Sequence, residues 1–205
     1  MFRIITVILI CFFNVLKSQV TSDTTKNLNE LIDNFILPTD TVADIGSGDM
    51  VRVTSLIISN PNTFFYIQDI DSTICNYKKF KSAVSKYKSA IDMKRINLVV
   101  GDQHDTKLRS HSCTKILLTY MLHEVESKKK LLENLKTKLK PNGELLISET
   151  ITTIPKKISR GCKRRFMTHE EFYELLKNLN IVIIEEVNYK TIKAGKLILV
   201  RCKFG

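Results

Sequence analysis

The sequence predicts an α/β fold: a seven-stranded sheet of five parallel strands and a C-terminal antiparallel hairpin, with helices on both faces. Three observations predict it. Between residues 41 and 148, short apolar runs alternate with amphipathic stretches, the pattern of a parallel sheet whose crossovers are helices. A glycine turn, Gly46-Ser47-Gly48, follows directly on the first run. The last two apolar runs, Ile181–Val187 and Lys196–Val200, have no helix between them and must pair antiparallel.

Each element follows from its own pattern. Leu28, Leu31, Ile32 and Phe35 form a helical stripe that Pro38 ends. Thr41–Ile45 is the first strand, and residues 49–59 leave room for one helix before Asn60-Pro61. Phe64–Gln68 is the second strand, with Asp69 at its end. Ile74, Tyr77, Phe80, Val84, Tyr87 and Ile91 recur at three- and four-residue steps and predict a long helix. Asn97–Val100 and Lys115–Thr119 are the third and fourth strands. Leu131, Leu132, Leu135 and Leu139 mark a helix stopped by Pro141-Asn142-Gly143, and Glu144–Ser148 is the fifth strand. Thr168 is placed to cap a last helix bearing Phe172, Leu175, Leu176 and Leu179, with Glu171 at its capping-box position.

A chain of 205 residues holds one domain with a full core and is too short for two of ordinary size. With 43% hydrophobic and 26% charged residues it has a globular make-up, which excludes a disordered protein. The formal net charge of +11 raises a nucleic-acid reading. The lysines are dispersed, however, as at Lys78-Lys79 and Lys128–Lys130, with no aromatic-interleaved ribbon and no specific nucleic-acid motif. They read as a solvated basic surface, which leaves anionic membranes and acidic substrates open as partners.

Residues 1–19 stand apart from the domain at 20–205. Arg3 precedes an apolar run, Ile4–Phe13, and a polar exit begins at Lys17. This is the pattern of an N-terminal signal peptide or membrane anchor, and the run is well short of the ~20 residues of a spanning helix. The expectation is an exported protein, periplasmic or secreted, or one attached to a membrane through residues 2–16. Cys75, Cys113, Cys162 and Cys202 form no CxxC pair, and their spacing suits no zinc site. They read as single buried thiols, with a disulfide between two of them open in an oxidising compartment.

Ligands of open α/β sheets bind beyond the carboxyl ends of the strands, where strand order reverses. Asp44-Ile45-Gly46-Ser47-Gly48-Asp49 ends the first strand; its glycines permit a tight turn, and the next helix offers free N–H groups. Asp69 ends the second strand, placed to accept hydrogen bonds from a ribose or, more plainly, to cap a helix near Asp71. Lying at an exposed strand end, it should contribute little to folding. Gly101-Asp102-Gln103 follows the third strand and suits an adenine edge.

In that order these segments resemble the class I S-adenosylmethionine-dependent methyltransferases, a Rossmann-like family, over residues 26–202. DIGSG at Asp44–Gly48 resembles the family's first motif, and Gln68-Asp69-Ile70-Asp71 its ribose-binding strand end. LLTYMLHEV at Leu117–Val125 resembles its fourth-strand motif, and LKPNGELLISE at Leu139–Glu149 its turn and fifth strand. The resemblance implies S-adenosyl-L-methionine as cofactor and a small-molecule acceptor. The donor site it implies is made by Asp44, Gly46, Gly48, Asp49, Asp69, Asp102, Gln103 and Thr119. One departure stands out: Met50 occupies a position where family members usually have glycine. Its side chain either narrows the donor turn, is accommodated by rotating outward, or marks a weakened site.

Methyl transfer from a sulfonium is an in-line displacement, so alignment of donor and acceptor carries much of the catalysis. A base is needed only where the acceptor must lose a proton. His123, just beyond the fourth strand, is the candidate catalytic base; its plainer reading is a residue that bonds the loop or shapes the pocket. No covalent nucleophile or metal site is expected. Acceptor choice falls to the N-terminal helix and residues 150–167, whose Lys156, Lys157, Arg160, Lys163, Arg164 and Arg165 attract an anionic acceptor or form a solvated loop. Two rivals remain. A nicotinamide-dependent oxidoreductase usually shows GxGxxG, but Val51 stands where the third glycine falls. An exported, degenerate binding protein without turnover is favoured by Met50 and by the export signal, since the methyl donor is made in the cytoplasm.

Overall fold

The computed structural model describes residues 20–21 and 27–205; the signal or anchor segment read at residues 1–19 lies outside the described residues. The elements run β1 (Val20–Thr21), α1 (Leu28–Asp33), β2 (Thr41–Ile45), α2 (Val51–Ser59), β3 (Phe64–Asp69), α3 (Tyr77–Ser85) and β4 (Ile96–Val100). After these come β5 (Cys113–Thr119), α4 (Lys128–Lys138), β6 (Leu139–Thr152), β7 (Met167–Thr168), α5 (His169–Asn178), β8 (Ile181–Ile192) and β9 (Gly195–Phe204). One sheet takes them in the order β1-β8-β9-β6-β5-β2-β3-β4, with β7 beside β6. Strands β2 to β6 are mutually parallel, and β9 runs antiparallel to both β6 and β8. The seven expected strands are all present; β1 and β7 are two-residue additions.

Alternation along the strands builds two cores. Ala43, Ile116, Leu118, Leu145 and Ile147 face α4 and α5, packing with Leu131, Leu135, Phe172 and Leu176. Their neighbours Val42, Leu117 and Leu146 face the other way, onto Leu31, Ile32, Leu56, Ile57 and Phe80 from α1, α2 and α3. A strand buried on both faces is apolar at nearly every position, which is why these runs lack a polar beat.

Four elements depart from expectation, two of them β8 and β9, which extend beyond the expected Ile181–Val187 and Lys196–Val200. The helix expected across Ile74–Ile91 spans only Tyr77–Ser85. Asn76 caps it by accepting the Lys79 N–H, and Lys88 at φ 51° lies in the left-handed region, where a helix cannot continue. The fifth strand is longer than expected. Pro141-Asn142-Gly143 does stop α4, but the turn is absorbed as an irregularity in the β5–β6 ladder, between the Cys113–Leu139 and Lys115–Glu144 pairs. At the other end of the chain, the capping box read at Thr168 and Glu171 is present in full.

Candidate functional site

Strand β2 is the point where the strand order reverses, with β3 and β4 on one side and β5 and β6 on the other. The carboxyl ends of β2, β3 and β5 open there into a crevice with two lobes, and all eight expected donor-site residues line it. One lobe, of about 450 Å³, takes in Gly46, Gly48, Asp69, Ile70, Asp102 and Gln103. The other, of about 480 Å³, shares the two glycines and adds Asp44, Asp49, Arg52, Thr119 and Tyr120.

The turn between the lobes is set by hydrogen bonds from β3. The N–H groups of Gly46 and Ser47 both donate to the Gln68 carbonyl, at 2.9 and 3.1 Å. Gly46 has φ 68°, and a Cβ there would press against the Met121 side chain at 3.3 Å, so glycine meets both the conformation and the space. Asp69 holds the same turn from its side chain: one oxygen accepts the Gly48 N–H at 2.9 Å, the other the Asp71 N–H at 3.0 Å. Its residue is only 8% exposed, which corrects the expectation of a free strand end. Removing this carboxylate would unpair two backbone donors next to the crevice. Its remaining lone pairs stay available to a diol.

The second lobe carries opposite charges. Asp44 is buried at the lining of this lobe, and burial raises its pKa to about 6 against the counteracting hydrogen bond of Ser47 and the charge of Arg52. Arg52 stacks over the Tyr120 ring, 5.1 Å from its centroid. Tyr120 has φ 56°, a strained value for a bulky residue, held by its own N–H to the Ser148 carbonyl and by its hydroxyl against Tyr189. Asp49 accepts the Val51 N–H at 3.0 Å and so satisfies one free donor at the start of α2. Asp102 folds back on its loop, accepting the His104 and Asp105 N–H groups, both at 2.8 Å, and pairing with Lys107.

Met50 lines neither lobe. It is the residue before α2, at φ 60°, and its side chain is fully buried among Val42, Val53 and Leu117. This corrects the expected outward rotation: the side chain does leave the turn, but inward to the core.

His123 lies beside the crevice rather than in it. It sits in a 3-10 turn, Leu122–Glu124, and is 7% exposed. Its Nδ1 is 2.8 Å from Glu149, a wholly buried residue that also accepts the His123 and Thr150 N–H groups at 3.0 and 2.8 Å. A carboxylate there can only accept, so Nδ1 carries the proton and Nε2 keeps a lone pair. That nitrogen faces the Cys162 thiol at 3.4 Å. Burial alone would push the imidazole down, but Glu149 and, to a lesser degree, Cys162 together outweigh it, and its pKa ends above the ordinary histidine value. His123 lines an adjoining pocket of about 370 Å³ with Lys128, Arg164 and Arg165, and Glu124 borders both this pocket and the donor crevice.

Sequence reasoning did not find Arg52, Tyr120, Glu149 or Cys162 as site residues. Glu149 carried a signal, being the last residue of the LLISE strand end, but its partner on another loop did not. In the sequence Cys162 reads as one more buried thiol, whereas it is partly exposed and lines the crevice.

Residues 44–147, half of the chain, match the model of a family described as a methyltransferase domain. The chain belongs to the class I S-adenosylmethionine-dependent methyltransferases. It is similar to a tRNA (guanine-N(7)-)-methyltransferase of Mycoplasma mobile, 30% identical over 105 residues that cover 46% of this chain and 49% of that protein. The match thus spans about half the length of this curated relative. Among solved structures, a SAM-dependent methyltransferase from Aquifex aeolicus superposes with a TM-score of 0.64 at 19% identity, over 84% of this chain and 87% of that one. The 1,6-didemethyltoxoflavin-N1-methyltransferase of Burkholderia thailandensis, with 1,6-didemethyltoxoflavin and S-adenosylhomocysteine bound, gives 0.66 at 15% identity, over 86% and 76%. At these identities the structural likenesses carry the fold, and the family carries the cofactor, S-adenosylmethionine.

The residues lining the crevice fit that group. The Gly46–Gly48 turn brings bare backbone to its centre, and a Cβ on Gly48 would meet nothing within 4 Å, so the turn is open on its ligand side. Asp69 offers acceptor oxygens for a ribose diol, Ile70 is a 53% exposed apolar side chain on the same rim, and Asp44 with Arg52 matches an amino-acid end bearing both charges.

Proposed function

We propose that this protein transfers the methyl group of S-adenosylmethionine to a small-molecule acceptor. The observation that carries the reading is the two-lobed crevice at the reversal of strand order, with a carboxylate suited to a diol in one lobe and both an acidic and a basic side chain lining the other. In this reading Asp69 accepts from the ribose hydroxyls, with Ile70 and Gln103 beside the adenine. Asp44 faces the ammonium, and Arg52 the carboxylate. The cofactor supplies an electrophilic methyl group on a sulfonium. Gly46, Thr119 and Tyr120 shape the passage between the lobes and fix the direction from which an acceptor approaches.

His123 serves as the base for an acceptor that must lose a proton. Glu149 holds the ring in the required tautomer and stabilises the imidazolium that forms. An acceptor hydroxyl or amine takes the place at Nε2 where the Cys162 thiol now stands. The neighbouring Lys128 and Arg164 favour an acceptor with negative charge. One observation supports a second reading: the relative from Mycoplasma mobile is a tRNA methyltransferase, and the chain here is strongly basic. The test is methyl transfer from labelled donor into two separate pools, an extract of small metabolites and bulk tRNA. Label in the metabolite pool, lost in His123→Ala, supports the proposal; label in tRNA alone supports the second reading, and label in neither removes both.

A further inference from the structure

Beside the donor crevice, three side chains with metal-binding atoms converge. His123 and Glu124 come from the turn after β5, and Cys162 from the loop that follows β6. The His123 Nε2 lies 3.4 Å from the Cys162 Sγ and 3.8 Å from a Glu124 oxygen, and the three ligand atoms all fall within 4.8 Å of one another. Zinc bound at about 2.0–2.1 Å to nitrogen, 2.3 Å to sulfur and 2.0–2.2 Å to oxygen, with tetrahedral angles, requires ligand-to-ligand edges of roughly 3.3–3.7 Å. The observed separations are those of a site that closes with small side-chain rotations. Glu124 has the freedom for this, its side chain being 51% exposed.

A second, independent feature points the same way. The His123 Nδ1–H donates to Glu149, which is wholly buried and anchored by two backbone N–H groups. A carboxylate behind a histidine fixes the ring and turns the Nε2 lone pair outward, the arrangement that metal-ligating histidines almost always have. Chain spacing hid it, because Cys162 lies 39 residues from His123.

We propose that His123, Glu124 and Cys162 form a binding site for a zinc-class divalent ion. Three protein ligands leave a fourth position, and since Glu124 and Cys162 both line the donor crevice, that position opens towards it. Nitrogen, sulfur and oxygen together favour zinc or cobalt over magnesium or calcium, which take oxygen ligands. The bound ion ties the loop carrying Cys162 to the end of β5. It also occupies the one lone pair that a base at His123 needs, so metal and proton exclude each other at Nε2.

The experiment is titration of the reduced, metal-free full chain with cobalt(II), followed by zinc displacement, without methyl donor. The metal readout is therefore independent of methyl transfer. The expected result is one equivalent of cobalt bound with a near-ultraviolet thiolate charge-transfer band, bleached by zinc. Cys162→Ser should abolish the band, and Glu124→Gln, a half-exposed change with no core contact to lose, should weaken binding at least tenfold. Glu149→Gln should weaken it ten- to hundredfold, the usual effect of losing such a supporting carboxylate. Absence of stoichiometric cobalt binding overturns the proposal, as does a band unchanged in Cys162→Ser or an affinity unchanged in Glu124→Gln.

Discussion

At the scale of single residues, Asp69 and Asp44 are both buried acids at strand ends and play different parts. Asp69 is tied to two backbone N–H groups. Asp69→Ala therefore leaves two donors unpaired, and unfolding by urea should show a loss of about 1–3 kcal/mol. Donor affinity should fall roughly ten- to hundredfold, because hydrogen bonds to a charged acceptor are worth about 1.5–3 kcal/mol. Asp44 is set by pH. Its folded pKa is raised to about 6, above the unfolded value, so the fold favours the protonated form. The stability this contributes is present below about pH 4 and lost as pH rises through 6. A shift of about two units corresponds to roughly 3 kcal/mol, and Asp44→Asn should stabilise the free protein at pH 7 by up to that amount. Arg52 and Asp69 are the charges that bear on this group, and a cationic donor adds to Arg52's effect. Donor affinity should rise with pH up to about 6 and then level off. In Asp44→Asn it should be weaker and flat, and a pH-dependent affinity persisting in that variant would assign the titration elsewhere.

At the scale of elements, the start of α2 shows how one position serves the core instead of the ligand. Met50 takes the left-handed conformation that glycine accepts freely, and it fills space beneath the sheet. Met50→Gly relieves the backbone but empties a fully buried site, where truncations of large side chains cost about 2–5 kcal/mol. A net loss of stability with unchanged donor affinity is expected; tighter binding would show that the side chain does reach the crevice. At α5, Thr168→Ala removes a cap whose hydroxyl accepts the Glu171 N–H, and should cost about 1 kcal/mol by urea unfolding. Alternation and punctuation are local properties, so strands such as Thr41–Ile45 and the Thr168 cap were legible in the sequence within a residue or two. The expected residues that line the crevice were legible for the same reason, each standing at the end of a recognisable strand. What was not legible depends on tertiary placement. The end of α3 is set by a left-handed Lys88, the turn of Met50 into the core by its neighbours, and the meeting of Glu149, His123 and Cys162 by loops distant in sequence.

At the scale of the molecule, two interpretations of the whole chain meet: a cofactor made in the cytoplasm and a first segment that reads as an export signal. The described residues hold no helix long and apolar enough to cross a membrane. A fusion of residues 1–25 to a reporter should carry it out of the cytoplasm or to the membrane, and a wholly soluble cytoplasmic reporter would remove the export reading without touching the fold. Fold by itself does not imply chemistry, since unrelated activities share this architecture. Under the proposed function, the crevice at the end of β2 is a working methyl-donor site. The decisive measurement is calorimetry of the purified protein with S-adenosylmethionine and, separately, with a nicotinamide dinucleotide. Saturable binding of one equivalent of the methyl donor, weakened in Asp69→Ala and not matched by the dinucleotide, is the predicted result; a folded protein that binds no methyl donor, or binds it equally well without the Asp69 carboxylate, would contradict it.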